Sequence, residues 1–215
     1  MIRKFFSYDG KFFGALTKVG EIIIANILFL VCCLPVVTAA SSLTSFYYVT
    51  VKCVRKDRGT LIPEFFGSMK RTLGKGAALT VLLLLWGAAL IFGRSLAVQA
   101  AGETLNFPVL LYDVLLGVTA ATAIYLFPVL SRFEMRLPQM VKLSFVMCLR
   151  YLPYTLVIAA GTALVGWLLF YKLPMACTLV LPGAWCLAIT FLMEKALHHY
   201  MPKPEEGEEQ WYDET

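Results

Sequence analysis

The chain has 215 residues, of which 59% are hydrophobic and only 15% charged, and its mean hydropathy is +0.73. Soluble domains have about a quarter of their residues charged, so this composition excludes an ordinary soluble fold. The net charge of +5 is uneven, because residues 202–215 carry one Lys against six acids while the rest of the chain is strongly basic. That excess is typical of contact with anionic lipid. The sequence contains no arginine-rich recognition helix, so it does not indicate nucleic acid as a partner.

The apolar residues occur in long uncharged runs rather than at amphipathic spacing. About 20 residues at 1.5 Å each cover the hydrocarbon core, and backbone groups in lipid must bond within a helix or a closed barrel. These runs are too long and too continuous for barrel strands. We therefore expect an all-α fold, a polytopic transmembrane bundle over residues 1–201 in contact with the lipid bilayer, followed by an acidic disordered tail at 202–215.

The chain begins with a candidate amphipathic helix at residues 2–19. Large aromatics share one face, and lysines at seven-residue intervals share another: Phe5, Phe6, Phe12 and Phe13 against Lys4, Lys11 and Lys18. Aromatics opposite lysines are typical of a helix that lies in the headgroup plane. The pattern therefore predicts an N-terminal interfacial helix.

Residues 22–51 contain no charge, which is long for one span and short for two. Pro35 lies near the middle, where it removes a helical donor and disfavours helical geometry at the preceding residue. A hydroxyl from Thr38, Ser41 or Ser42 is placed to cap a new helix after the break. We expect helix 17–34, a tight turn, and helix 38–56.

The remaining elements alternate between basic segments and apolar runs. The segments 52–75 and 131–150 are basic, and a short amphipathic helix is expected from Pro63 within the first of them. The loop 100–107 has no Lys or Arg, and the turn 172–174 has one. Four further spans are predicted at residues 76–99, 108–130, 151–171 and 175–193.

The distribution of Lys and Arg sets the orientation, since basic loops accumulate on the cytoplasmic side. Placing 52–75 and 131–150 inside puts the C-terminus inside, and the basic N-terminus joins it only if 17–56 crosses and returns. Six segments with both termini cytoplasmic therefore fit better than the alternative of five, which puts the N-terminus outside. The expected location is a plasma membrane.

Three short stretches resemble the YesL-like family of bacterial integral membrane proteins, whose function is unknown. They are Asn26-Ile27-Leu28-Phe29-Leu30, Leu34-Pro35-Val36-Val37-Thr38 and Ser45-Phe46-Tyr47-Tyr48-Val49, and Phe65-Phe66 before Lys70 fits the same pattern. Ala39-Ala40 stands where that family often has Ile-Gly. The resemblance covers about residues 5–75, and family genes tend to lie near sugar-uptake ABC transporters. It therefore implies an accessory role in carbohydrate uptake.

Six positions are candidate polar or structural sites: Asn26, Pro35, Thr38, Ser41, Arg94 and Asp113. Arg94 and Asp113 lie near the outer ends of neighbouring spans, where a short loop favours their pairing. We expect a structural pair or a snorkelling Arg94, or alternatively a polar gate or substrate contact. Asn26 bonds another helix or contacts a ligand. The hydroxyl cluster after Pro35 serves close helix packing, or a transporter site at a broken helix.

No catalytic motif and no convincing metal site is visible in the sequence. Glu194 and His198 share a helix face without a third ligand, and we interpret Glu194 as an interfacial helix end. The six cysteines form no CxxC pair and suit small core positions. We expect a non-enzyme without cofactors, an accessory component of carbohydrate uptake that contacts a sugar ABC transporter or another membrane protein. The alternative is a small oligomeric secondary transporter or channel, and a homo-oligomer fits either.

Overall fold

The computed structural model describes residues 11–101, 107–133, 135–171 and 181–197, with side chains described for 17–100, 107–133, 135–168 and 181–194. These residues form helices and no strand, so the all-α expectation is confirmed for them. The helices are α1 (Lys11–Cys33), α2 (Ala39–Val49), α3 (Leu61–Ala101), α4 (Phe107–Arg132), α5 (Leu137–Arg150), α6 (Leu152–Tyr171) and α7 (Leu181–Leu197).

Two described helices, α3 and α4, are long and apolar enough to cross a membrane. A third span is present if α5 and α6, which meet at 98°, are counted together, and α7 contains a shorter apolar stretch. The described chain is thus of membrane type with two or three such helices, rather than the six expected. One reason is that α2 and its continuation to Arg55 cover about 25 Å, less than the hydrocarbon core.

The predicted break near Pro35 is present, because α1 ends at Cys33 and a single 3-10 turn (Val36–Thr38) precedes α2. The predicted cap is wrong. Thr38 has helical backbone angles (φ −90°, ψ −1°) and makes no side-chain cap bond, whereas a capping residue is usually extended. Its hydroxyl donates to the carbonyls of Cys32 and Pro35, both at 2.7 Å. Thr38 therefore closes the end of α1 instead of starting α2.

The two other candidate caps also bond elsewhere. Ser41 Oγ donates to the carbonyl of Thr72 on α3 at 3.2 Å, and Ser42 Oγ donates to that of Phe29 on α1 at 3.1 Å. Ala40 N–H, near the start of α2, donates to Thr80 Oγ1 at 3.1 Å. The hydroxyl cluster therefore ties α2 to the helices on either side of it.

Helix α2 lies in the centre of the bundle, with nine of its eleven residues buried. On one side Tyr47 packs with Leu79 of α3 and Tyr125 of α4. On the other side Phe46 packs with Ile22 of α1 and Phe65 of α3. Two apolar clusters therefore meet along α2.

The α-helix expected to reach residue 56 ends at Val49 and continues as a π-helical turn, Thr50–Arg55. The chain then reverses with left-handed geometry at Asp57 (φ 51°) and Gly59 (φ 83°). Lys18 Nζ contacts Asp57 Oδ2 at 3.0 Å, across 39 residues of sequence. The two ends of the α1–α2 hairpin are thus side by side.

The basic segments are helical where loops or a separate short helix were expected. Residues 61–75 are continuous with the following span in the 41-residue α3, because Pro63 lies in its first turn, where proline is tolerated. Residues 137–150 form α5, whose buried side contains Met140, Ser144, Met147 and Cys148. We call the end of the bundle where these basic segments lie the basic end.

Several predicted elements extend beyond the described residues. Helix α1 runs unbroken from Lys11, so residues 11–19 belong to the same helix as 20–33 and do not form a separate interfacial helix. Residues 2–10 of that predicted helix, most of the 100–107 loop, the 172–174 turn and the 202–215 tail lie outside the described residues.

Gly76 provides a test of the close approach between α2 and α3. A Cβ atom added to Gly76 would clash with Ser41 Oγ and would lie 3.0 Å from Ser41 N, so rotation of the serine alone cannot relieve the clash. A Cβ on Gly74 meets nothing within 4 Å. We expect Gly76→Ala to destabilise the protein by about 1–3 kcal/mol, whereas Gly74→Ala gains up to about 1 kcal/mol of helix propensity. Unfolding in detergent, followed by circular dichroism, measures both; equal effects would contradict the packing described.

Candidate functional site

A central cavity of about 410 Å³ lies among α1, α2, α4, α6 and α7. Its described lining is largely apolar, with Phe29, Phe46 and Phe127 among the larger side chains. Hydroxyl or indole groups come only from Tyr47, Thr162 and Trp185 in that lining. This cavity is one of the concave features of the described chain in which a ligand site can be sought.

The polar hydrogens of those three side chains are already committed within the protein. Trp185 Nε1 donates to Thr162 Oγ1 at 3.1 Å, and Thr162 Oγ1 donates to the carbonyl of Ile158 at 2.7 Å. Tyr47 Oη donates to Glu194 Oε1 at 3.0 Å. Sugar recognition depends on polar groups that can exchange water for ligand hydroxyls, and a buried polar group left without a bond is costly. The described lining therefore suits an apolar occupant and not a sugar.

Tyr47 connects the cavity to a buried ion pair at the basic end. Arg132 Nη2 on α4 donates to Glu194 Oε1 on α7 at 2.6 Å, and their side chains are 2% and 13% exposed. One carboxylate oxygen thus receives bonds from α2 and α4 together. Because both charges are desolvated and paired, this contact fixes how the three helices meet.

The π-helical turn adds two further contacts at the basic end. Lys52 Nζ donates to Glu64 Oε1 at 2.7 Å, and Tyr48 Oη donates to the other oxygen of the same carboxylate at 3.2 Å. Arg55 Nη1 donates to the carbonyl of Thr190 at 3.2 Å and stacks over the ring of Phe191. The turn therefore directs one cation toward α3 and another toward α7, which a regular helix with the same sequence would place differently.

The six predicted positions lie away from the central cavity. Asn26 is fully buried on α1, Pro35 lies exposed in the turn, and Thr38 and Ser41 make the backbone contacts given above. None of the six lines the cavity. Their described contacts are those of helix packing and turn formation.

The structure brings Arg94 and Asp113 together on neighbouring helices. Arg94 Nε donates to Asp113 Oδ1 at 2.5 Å, with the side chains 39% and 44% exposed. Two further contacts have the same antiparallel register: Trp86 Nε1 donates to Thr119 Oγ1 at 3.3 Å, and Gly93 lies against the Tyr112 ring. We call residues 82–101 with 107–119, which these contacts join, the outer hairpin.

Sequence reasoning missed the Arg132–Glu194 pair. It assigned Arg132 to a basic loop and Glu194 to a helix end, 62 residues apart. The available signal was that two opposite charges each follow an apolar run, and that the six-segment prediction ends both runs on the same side of the membrane. Within the described ranges, no group of three or more His, Cys, Asp or Glu is placed to hold a metal ion, and His198 lies outside them.

Residues 22–94, about a third of the chain, match the family model described as "Protein of unknown function, DUF624". The match includes the turn at Pro35, all of α2 and most of α3. It supports membership of an uncharacterised family and says nothing of an activity. No curated protein and no solved structure matches the chain.

Removing one partner of the buried pair should be far more costly than removing both. Glu194→Ala leaves Arg132 in a desolvated site without its carboxylate, at an expected cost of about 3–5 kcal/mol. Arg132→Met with Glu194→Leu should recover most of that loss, since apolar side chains tolerate the same site. The exposed Lys18–Asp57 pair is the control, and Lys18→Ala should cost at most about 1 kcal/mol.

Denaturant unfolding of the purified variants in one detergent measures these differences. A Glu194→Ala variant no less stable than Lys18→Ala would contradict a structural role for the buried pair.

Proposed function

We propose that this chain is a non-catalytic, multi-span membrane protein that assists carbohydrate uptake by contacting a transporter through its outer hairpin. The observation that carries the proposal is the uncovered apolar surface of that hairpin. Leu85 is 68% exposed, Phe92 66% and Phe107 79%. Lipid accounts for some of this exposure, so we infer a protein partner from the length of α4 and from the charge on the hairpin.

Helix α4, whose residues 107–119 belong to the hairpin, is longer than the hydrocarbon core is thick. Helix α4 has 26 residues, and at 1.5 Å each it measures about 39 Å, against about 30 Å of hydrocarbon. Fitting it by tilt alone needs about 40°, the upper end of what spanning helices show. The excess length supports a partner that covers part of the apolar surface.

The Arg94–Asp113 ion pair is a second reason to expect a partner on the outer hairpin. With Arg94 and Asp113 at the interface, the turns beyond them that bear Leu96, Phe107 and Leu110 project into water. With those turns at the interface, the pair lies about 10 Å inside the hydrocarbon, where partly exposed charge is costly. At the first depth apolar side chains are exposed to water, and at the second depth an ion pair is exposed to lipid. A protein partner can cover the apolar side chains and the ion pair alike.

The carbohydrate part of the proposal rests on the resemblance of residues 5–75 to the YesL-like family, and the transporter is the partner that the resemblance implies. The runner-up function is a small oligomeric transporter or channel. The central cavity favours the first reading, since the donors in its described lining are committed and no described Asp, Glu, Lys or Arg lines it. Coupled transport of a polar solute usually needs such groups.

The proposal includes an orientation, with six membrane segments, the basic end in the cytoplasm and both termini beside it. In a cysteine-free background, an impermeant thiol reagent added to intact cells should label cysteines introduced at Glu103 and Lys172. It should leave cysteines at Ser7 and Gly207 unlabelled until the cells are opened. Labelling of Ser7 in intact cells would support five segments and refute the returning hairpin.

The partner proposal is tested by photo-crosslinking in native membranes. A photoreactive phenylalanine analogue replaces Phe92 on the outer hairpin or, as the matched control, Leu156 on α6, since both side chains are 66% exposed. The expected result is an adduct with a subunit of a sugar ABC transporter from position 92 and none from position 156. Mass spectrometry of the adduct identifies the subunit.

Three other outcomes would overturn the proposal. Adducts only with lipid at both positions would mean that nothing docks on the hairpin. An adduct of twice the chain mass, together with solute flux in liposomes, would support the oligomeric transporter. An adduct with an unrelated membrane protein would remove the carbohydrate role.

A further inference from the structure

A second concave surface, the lateral groove, runs between α3, α4 and α5 and has a volume of about 570 Å³. Leu79, Leu82 and Trp86 line it from α3, and Leu115 and Thr122 from α4. From Leu79 to Trp86 it follows α3 for about 10 Å, away from the basic end. The groove thus runs from the polar end of the bundle into its apolar part.

The charge at the groove is of one sign. Lys142 of α5 is the charged residue in its described lining, and that lining contains no Asp or Glu. Lys75 lies four residues before Leu79, on the same face of α3 and one turn nearer the basic end. Both lysines are exposed. Two cations therefore lie at the polar end of an otherwise apolar channel.

Helix α5 is placed as an interfacial helix. It meets α6 at 98°, so it lies across the direction of the span that follows. Its outward side combines Phe145, Val146 and Leu149, 42–51% exposed, with the exposed cations Lys142 and Arg150. Large apolar side chains beside cations are typical of helices at the headgroup level. The lateral groove therefore opens at the depth where lipid headgroups lie.

We propose that the lateral groove binds an anionic phospholipid, with the phosphate-bearing headgroup at Lys75 and Lys142 and an acyl chain along the groove toward Trp86. The groove has cations at one end and apolar side chains along the rest of its length. An anionic phospholipid has the matching arrangement, with a negative headgroup followed by apolar acyl chains. Zwitterionic lipid satisfies the apolar part but neutralises the two lysines poorly. A lipid in this groove requires membrane embedding but no protein partner, although Leu82, Trp86 and Leu115 belong to the outer hairpin as well.

The groove contains its own reporter, because Trp86 is at the end expected to contact the acyl chain. The purified full chain is reconstituted in phosphatidylcholine vesicles with increasing amounts of phosphatidylglycerol brominated on its chains, which quenches nearby tryptophan. A parallel series uses brominated phosphatidylcholine. Subtracting the signal of Trp86→Phe removes the other tryptophans. We expect half-quenching of the Trp86 component at a much lower mole fraction of the anionic lipid.

Each lysine should contribute about fivefold to that preference, so Lys142→Gln should raise the half-quenching fraction about fivefold and the double variant with Lys75→Gln more than tenfold. Lys70→Gln is the matched control, since Lys70 is an exposed cation of the same helix but lies five residues before Lys75 and therefore on a different face. It should change the fraction less than twofold. Soluble glycerol phosphate should not reverse the quenching, because it lacks the acyl chain.

Equal quenching by the two lipids, or equal effects of Lys70→Gln and Lys142→Gln, would overturn the proposal. A Trp86 component that neither lipid quenches would also overturn it and would mean that protein closes the groove. Reversal by glycerol phosphate would show a plain anion site instead of a lipid site. Circular dichroism confirms that each variant is folded.

Discussion

The close packing of the hydroxyl-rich α2 between α1 and α3 is the constraint on which the rest of the structure depends. Lipid is as apolar as the helices, so association within a membrane depends on close approach and hydrogen bonds more than on hydrophobic burial. Helix α2 provides both, because Gly76 leaves room for Ser41 and the hydroxyls of Ser41 and Ser42 reach carbonyls on two neighbouring helices. Both apolar clusters of the described chain then assemble on its two sides.

The parts of this arrangement that sequence analysis found are those encoded locally. Pro35 disfavours helical geometry through its own ring, so the break near it can be predicted from the sequence alone. The short connection between the two apolar runs likewise makes the pairing of Arg94 with Asp113 predictable. The Arg132–Glu194 pair depends on how three distant helices meet, which spacing along the chain does not specify. The π-helical turn at Thr50–Arg55 is hidden for the same reason, since its cations bond to α3 and α7. The hydroxyl of Thr38 was recognised as a backbone partner, but its bonds close α1 because its own backbone is helical.

Charge in the described chain is used in two different ways. At the basic end, Glu194 and Glu64 each accept from a cation and a tyrosine, and these contacts join helices from both halves of the chain. On the outer hairpin, one ion pair lies partly exposed among apolar side chains. The first arrangement holds the bundle together, and the second leaves a surface unmatched to water or lipid. The unmatched surface of the outer hairpin supports a protein that acts by contacting another protein. The polar groups in the described lining of the central cavity are already bonded within the protein, which supports the same proposal.

The central claim is that the chain turns at Pro35 and that α2 returns beside α1, and the most direct test joins the two ends of that hairpin. In a cysteine-free background, Lys18→Cys and Asp57→Cys replace side chains that contact each other at 3.0 Å. Mild oxidation in native membranes should form an intramolecular disulfide, seen as one linked peptide pair by mass spectrometry. A single unbroken helix across residues 22–51 would hold the two positions more than about 45 Å apart, so a complete absence of the linked pair in folded protein would contradict the account.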